Sequence, residues 1–263
     1  MRVALLCSQR APGLGDLLRD PNRGSLYELV CCLTSEEDSS MLERAKEEGI
    51  VCLAHPIRPF YRRQGARLPD LAVRHRYDTE TVEILDRFKP DLVLLAGYLY
   101  IVTAPVLRRF PERIFNVHHS DLTLGDRQGR PRYVGLRAVR DAIFAGERET
   151  RATLHVVSQE VDRGPLLLRS SPFPVSPLVR DGLAWGAVDM LKAYAFAHQE
   201  WMLRVAWGPL LSRAIDLVAT GRVHMSGGLA FIDRLAGPWT LQLTPRGSVL
   251  TPRARELTLV AAG

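Results

Sequence analysis

Short apolar runs alternate with helical patterns over the first 118 residues, and this alternation limits the possible folds more than any other feature of the chain. Residues 2–7, 27–33, 50–54 and 91–96 are mostly apolar instead of alternating apolar with polar. Continuous apolarity is typical of strands that are buried on both faces. The chain is therefore predicted to form α/β βαβ units, giving an open, mostly parallel Rossmann-like sheet with helices on both faces.

Polar segments interrupt this pattern. Residues 56–77 are Arg-rich and broken by three prolines, so they are predicted to form a long irregular connection, with Asp78 capping a helix that ends near residue 88. A second polar loop, 121–133, follows a predicted strand at 114–118.

The second half of the chain predicts strands at 151–157 and 166–170 and a helical region at 181–220. Gly208 and Pro209 are expected to bend or divide that region. Beyond it, Gly and Pro separate short apolar runs, which favours a small strand-rich C-terminal extension. The predicted division is a catalytic domain at residues 1–222 and an extension at residues 223–263.

Composition narrows the classes of function. The net charge is +6, but only three of the 35 cationic residues are Lys, and the Arg residues are spread along the chain, which argues against a nucleic-acid surface. The longest apolar stretch, 92–102, is too short to span a membrane. The four cysteines show neither disulfide nor zinc spacing, so we expect buried thiols, no metal and a cytoplasmic protein.

Candidate chemistry lies at the end of the strand at 114–118. Alternation along a strand places Asn116 and His118 on one face, near the end where open α/β sheets bind ligands. A carboxamide and an imidazole at that position can act on one carbonyl carbon. Asp162 lies in a turn before Gly164 and Pro165, where its carboxylate could pair with His118.

Several segments resemble the folate-dependent formyltransferases, above all the phosphoribosylglycinamide formyltransferases. The segments are PDLVLLAGYLYIVTAPVLRRFPERIFNVHHSDL from residue 90, RHRYDTETVEILDRFK before it, ATLHVVSQEVDRGPLLL after it, and ATGRV at 219–223. The resemblance covers roughly residues 1–223. It implies the formyltransferase fold and transfer of a formyl group from 10-formyltetrahydrofolate to a small-molecule amine, as in purine biosynthesis.

The resemblance also implies roles for individual residues. Asn116 would hold the formyl oxygen, His118 would serve the tetrahedral intermediate, and Asp162 would position His118 and assist proton transfer. His155 matches a histidine that is common in the family. The folate would bind in an apolar slot formed by one segment after the strand at 91–96 and by a loop opposite; the residues predicted for this slot are Leu99, Tyr100, Ile101, Val102, Val161 and Gly164.

Predicted acceptor-binding residues are Arg10, Gly13 and Gly15, in the turn after the first strand, and His119. Glycines allow the backbone to approach an anion, although Pro12 removes one N–H from this turn. The run His118-His119-Ser120 resembles formyltetrahydrofolate deformylase, in which water replaces the amine. A sugar-nucleotide amine formyltransferase and a folate-binding protein without turnover are further alternatives, and the extension could be an acceptor lid or the contact of a homodimer.

Overall fold

The structure is a computed structural model that describes residues 1–244 and 247–252. Its strands are β1 (Arg2–Cys7), β2 (Glu28–Thr34), β3 (Cys52–Ala54), β4 (Leu92–Leu95), β5 (Ile114–His118), β6 (Glu149–Thr150), β7 (Thr153–Val156), β8 (Leu166–Ser170), β9 (Phe173–Pro174), β10 (Val223–Ser226), β11 (Leu229–Ile232), β12 (Leu235–Ala236), β13 (Trp239–Thr244) and β14 (Gly247–Thr251). Its helices are α1 (Leu14–Arg19), α2 (Ser40–Glu47), α3 (Ile57–Arg63), α4 (Leu71–Asp86), α5 (Ala104–Arg109), α6 (Ala138–Phe144), α7 (Leu178–Ala184) and α8 (Val188–Ala219).

A nine-stranded sheet forms the centre of the molecule, with the order β14-β13-β8-β7-β5-β4-β1-β2-β3. The run from β5 to β3 is parallel throughout. β7 joins β5 in the antiparallel sense, and β8 pairs antiparallel with β7. The predicted mostly parallel α/β sheet is confirmed.

Both faces of the sheet are covered, as the continuous apolar strands require. Along β1, Val3 and Leu5 belong to one hydrophobic cluster, while Ala4 and Leu6 belong to another on the opposite face. The first cluster includes the buried side of α8, and the second includes side chains of α4 and α5. Alternation within a strand that is apolar throughout thus builds two cores, with helices packed on each.

The irregular connection predicted for residues 56–77 is wrong, because this segment contains α3 and the start of α4. The cap of α4 is Asp70, whose carboxylate accepts the N–H groups of Ala72 at 2.9 Å and Val73 at 3.1 Å. Pro59 lies in the first turn of α3, where backbone N–H groups have no partner within the helix. Asp78, predicted as the cap, instead lies inside α4 and is buried.

Of the bend or division predicted at Gly208 and Pro209, the division is wrong, since α8 continues through both residues, and the bend stays a prediction. A proline inside a helix costs about 3 kcal/mol, so packing must compensate. Trp207, Leu210 and Leu211 are buried around this point. Gly208 lies so close to α1 that an added Cβ would be 1.9 Å from an oxygen of Asp16.

The C-terminal segment contributes short strands, as expected. β10, β11 and β12 form a small antiparallel sheet, and β13 extends the central sheet by pairing in parallel with β8. The division of the chain at residue 222 stays a prediction, and residues 253–263 of the predicted extension lie outside the described residues. Among the helices of the described residues, none is long and apolar enough to cross a membrane.

Candidate active site

A cavity of about 1370 Å³ opens above the carboxyl ends of β4 and β5. One wall is the segment after β4, and the opposite wall includes the loop that follows β7. A third side is formed by α8, and Asn116 and His118 lie between these walls. The cavity therefore lies where open α/β sheets bind their ligands.

Strand pairing fixes the orientation of Asn116. In the antiparallel register of β5 and β7, Asn116 lies opposite His155, and its Nδ2 atom is 3.2 Å from the His155 Nε2 atom. The His155 Nδ1–H donates to the Val156 carbonyl at 3.0 Å, and burial lowers the pKa of His155 to about 4. The ring is therefore neutral, its Nε2 lone pair accepts one amide hydrogen of Asn116, and the second amide hydrogen stays available.

Asp162 lies close to two histidines. Its Oδ2 is 3.5 Å from His118 Nδ1, its Oδ1 is 3.7 Å from His155 Nε2, and the Gly135 N–H donates to Oδ2 at 3.1 Å. The backbone of Asp162 has a φ of 57°, a conformation that Asp adopts more readily than most residues. The structure thus places the predicted Asn116, His118 and Asp162 at one point of the cavity.

His118 is buried between two acceptors. Burial lowers its pKa, while the nearby Asp162 carboxylate and the Tyr133 carbonyl, 3.3 Å from Nε2, act in the opposite direction. The Tyr133 carbonyl also accepts the Ser120 hydroxyl at 2.6 Å. A neutral imidazole with a carboxylate beside it can accept a proton and then be stabilised as a cation.

The predicted folate slot carries apolar side chains that are open to the cavity. Leu99 is 55% exposed, Ile101 44% and Val161 56%, and Tyr100 and Val102 also line the cavity. Gly164 is not among the residues that line the cavity, and a Cβ there would be only 1.8 Å from the Val156 carbonyl oxygen. Close backbone packing therefore requires glycine at this position, and its predicted contact with folate stays untested.

Of the residues predicted to bind the acceptor, Arg10 and His119 line the cavity. The Arg10 guanidinium donates to both carboxylate oxygens of Glu200 on α8, at 2.7 and 2.8 Å. Gly13 packs on α8, where a Cβ would be 2.9 Å from the Leu211 side chain, and Gly15 is part of α1. The roles of these four residues in binding the acceptor stay predictions.

The contribution of α8 to the cavity was not predicted from the sequence; the lining residues of this helix are Phe196, Gln199, Glu200, Leu203 and Trp207. The Trp207 ring stacks on His119 with 6.1 Å between ring centroids. The Trp207 Nε1 and His119 Nε2 atoms are buried without a hydrogen-bond partner. Burial and the neighbouring His118 lower the pKa of His119 to about 4, so this ring is neutral.

This arrangement combines an amide donor, a neutral imidazole and a carboxylate, the groups needed for acyl transfer at a carbonyl carbon. In the described part of the chain, His, Cys, Asp and Glu side chains form no group that could hold a metal ion.

Comparisons with known proteins agree with this chemistry. The formyltetrahydrofolate deformylase of Escherichia coli strain K12 is 25% identical over 240 residues, which cover 88% of this chain and 69% of that protein. The phosphoribosylglycinamide formyltransferase of Haemophilus influenzae is 27% identical over 238 residues, covering 90% and 96% of the two chains. Among solved structures, glycinamide ribonucleotide transformylase 1 from Symbiobacterium toebii has a TM-score of 0.66 and 27% identity, covering 88% of this chain and 93% of that one.

The family model described as "Formyl transferase" matches residues 1–177, which is more than half of the chain. The match includes β1 to β8 and all of Asn116, His118 and Asp162. This chain therefore belongs to the formyl transferase family.

Proposed function

We propose that this protein transfers the formyl group of 10-formyltetrahydrofolate to a small-molecule amine, most like phosphoribosylglycinamide formyltransferase. The observation that carries the proposal is the meeting of Asn116, His118 and Asp162 at one point of the cavity. Apolar side chains such as Leu99 and polar ones such as Arg10 and Glu200 line the same cavity, so that it offers contacts to both a donor and an acceptor.

The residues present fit a folate. The cavity volume of about 1370 Å³ exceeds the roughly 300–1000 Å³ of an ordinary small-molecule site, which leaves room for two substrates. The exposed side chains of Leu99, Ile101 and Val161 offer apolar contacts to a flat heteroaromatic ring, whose binding would remove them from water.

The reaction forms a bond between the amine nitrogen and the formyl carbon and breaks the bond from that carbon to the folate nitrogen. Asn116 would donate its free amide hydrogen to the formyl oxygen as negative charge develops there. His118, being neutral, would accept the proton that the amine loses, and Asp162 would stabilise the resulting imidazolium. The proton would then pass to the leaving folate nitrogen.

Hydrolysis to formate is the second candidate, favoured by two observations on the acceptor side. His119 follows His118 directly, as in the deformylases, and Arg10 is already paired with Glu200. Water as the acceptor would need no cation for a phosphate group, whereas a ribonucleotide would compete with Glu200 for Arg10.

Incubation of the pure protein with 10-formyltetrahydrofolate, with and without glycinamide ribonucleotide, tests both candidates. Tetrahydrofolate that forms only when the amine is present supports the transferase. Rapid release of formate without an amine supports the hydrolase and contradicts the transferase. A formyl donor that stays intact both with this amine and with a panel of other small amines would overturn the proposed function.

A further inference from the structure

A buried ion pair on α4 lies behind the apolar wall of the cavity and takes no part in the chemistry above. Arg74 and Asp78 are one helical turn apart, with 3.0 Å between the Arg74 guanidinium and Asp78 Oδ1 and side chains only 3% and 1% exposed. Burial of two charges is costly unless both are paired and hydrogen-bonded. The remaining contacts of this pair therefore indicate what it does.

The second oxygen of Asp78 holds Thr103. It accepts the Thr103 backbone N–H and the Thr103 hydroxyl, both at 2.6 Å. Thr103 is the N-cap residue of α5 and the last residue of the segment that forms the wall. Asp78 thus fixes the point at which the wall ends and the helix begins.

Arg74 holds the other end of the same segment. Its guanidinium donates to the Tyr98 hydroxyl at 2.7 Å and lies 5.0, 5.5 and 5.7 Å from the ring centroids of Tyr77, Tyr98 and Tyr100. Contacts of this kind between a cation and aromatic faces are favourable, more so when the groups are desolvated. Tyr98 and Tyr100 are thereby held against α4.

The two attachments enclose the apolar part of the wall. Leu99 and Ile101, which are exposed to the cavity, lie between Tyr98 and Thr103. Apart from the ion pair, the Ser8 hydroxyl accepts the Leu99 N–H at 3.1 Å. Exposed apolar side chains gain free energy when they pack against one another and leave water. Polar attachments at both ends of the wall oppose this and keep the cavity open for a ligand.

We propose that Arg74 and Asp78 are positioning residues that hold the segment from Tyr98 to Thr103 in the arrangement that binds the formyl donor. This inference rests on the proposed function, because it assigns the apolar wall to the folate. If loss of the ion pair leaves the wall in the binding arrangement about one tenth of the time, the dissociation constant of the folate rises about tenfold.

The test measures the dissociation constant of tetrahydrofolate by calorimetry under anaerobic conditions, so that the acceptor does not enter. Asp78→Asn should raise this dissociation constant about tenfold. Thr103→Val, which loses the hydrogen bond from the Thr103 hydroxyl to Asp78, should raise it about threefold. Thr103→Ser keeps the hydroxyl and should bind as the wild type does. Glu83→Gln, an equivalent charge change at an exposed site on α4, should have no effect.

Measurement of kcat and KM distinguishes a positioning residue from a catalytic residue. With saturating 10-formyltetrahydrofolate, the kcat of the folded variants should stay within about twofold of wild type, because the donor itself then selects the binding arrangement. A KM that rises while kcat is kept is the signature of a positioning residue.

The outcomes separate the two hypotheses. A wild-type protein that does not bind tetrahydrofolate would contradict the proposed function itself. If the wild type binds and the folded variants bind equally well, the positioning role is overturned, even if their unfolding temperature is lower. Should Asp78→Asn fail to fold, the comparison of Thr103→Val with Thr103→Ser still decides.

Discussion

The two sides of the cavity differ in how their polar groups are paired, and the difference is one of degree, because Arg74 Nε on the proposed donor side is also buried without a hydrogen-bond partner. On the donor side, Arg74 and Asp78 bond to Tyr98 and Thr103, which bound the apolar wall. On the acceptor side, the buried His119 Nε2 and Trp207 Nε1 atoms have no partner. A buried polar group without a partner costs about 1–3 kcal/mol, and a bound acceptor that pairs with these atoms would remove that cost. We therefore expect the proposed donor side to be organised before binding and the proposed acceptor side to be completed by its ligand.

The ion pairs on the two sides also differ, in how far their side chains are exposed. The side chains of Arg74 and Asp78 are 3% and 1% exposed, but those of Arg10 and Glu200 are 59% and 20% exposed. An exposed ion pair contributes only about 0–1 kcal/mol, so it can be replaced by a ligand at little cost. We therefore expect the proposed acceptor side to be the more adaptable of the two.

The largest expected effect is the loss of kcat on substitution of His118, which lies where the two sides of the cavity meet. Removal of a positioned acid–base group costs about 10²- to 10⁴-fold in rate, so His118→Ala should lower kcat by that amount. Binding of tetrahydrofolate should change less than twofold, because the donor wall is intact. Stopped assays of tetrahydrofolate formation and calorimetry measure the two quantities. His224→Ala, on the exposed β10, is the matched control and should keep full activity.

On the acceptor side, Glu200→Gln should strengthen binding of a phosphorylated acceptor. The substitution removes a carboxylate and frees the Arg10 guanidinium, so glycinamide ribonucleotide should bind up to about fivefold more tightly. Tetrahydrofolate affinity should stay the same. Asp189→Asn makes the same charge change at an exposed position on α8 and should alter neither affinity. Weaker binding of the ribonucleotide in Glu200→Gln would show that Glu200 itself contacts the acceptor.

Trp207→Phe keeps an aromatic ring but removes the unpaired N–H group. If that group serves the acceptor, the KM for the amine should rise about two- to fivefold, while thermal stability is unchanged or slightly higher. Where water is the acceptor, kcat should fall by the same factor. Trp201→Phe, outside the cavity on the same helix, should leave KM and kcat unchanged. A decrease in stability with normal kinetics would assign the N–H to structure.

The smallest expected effect is the change of kcat between pH 7.5 and 6.5. Because burial lowers the pKa of His118 below its usual 6.5, more than half of the imidazole is neutral at pH 6.5, and kcat should change less than about twofold between pH 7.5 and 6.5. Activity should decline only below that range. Asp162 raises the pKa of His118, so the residual activity of Asp162→Asn should decline at lower pH than in wild type. A shift of the decline to higher pH would contradict this electrostatic role.

Much of the central sheet, and the placement of Asn116 and His118, could be predicted from the sequence because these features are local. The apolar runs gave β1, β2 and β4, and alternation along β5 placed Asn116 and His118 on one face. The helix start at Asp70 also has a local signal, an Asp before a helical pattern, but the prolines around it favoured a loop.

The acceptor side could not be predicted in the same way, because it depends on contacts between distant parts of the chain. Nothing near Pro209 shows that Gly208 packs against Asp16 and that α8 therefore continues. The pairing of Arg10 with Glu200 and the stacking of His119 on Trp207 follow from that continuous helix. Local patterns carry no information on either contact.

The most direct test of the central claim follows the formyl carbon itself. The protein is incubated with 10-formyltetrahydrofolate labelled in the formyl group, with and without glycinamide ribonucleotide, beside the Asp162→Asn variant. We predict that the label leaves the folate in the wild type, on the amine or as formate, and at least about 100-fold more slowly in the variant. Label that stays on the folate in the wild type under both conditions, or leaves at the same rate in the variant, would contradict formyl transfer at Asn116, His118 and Asp162.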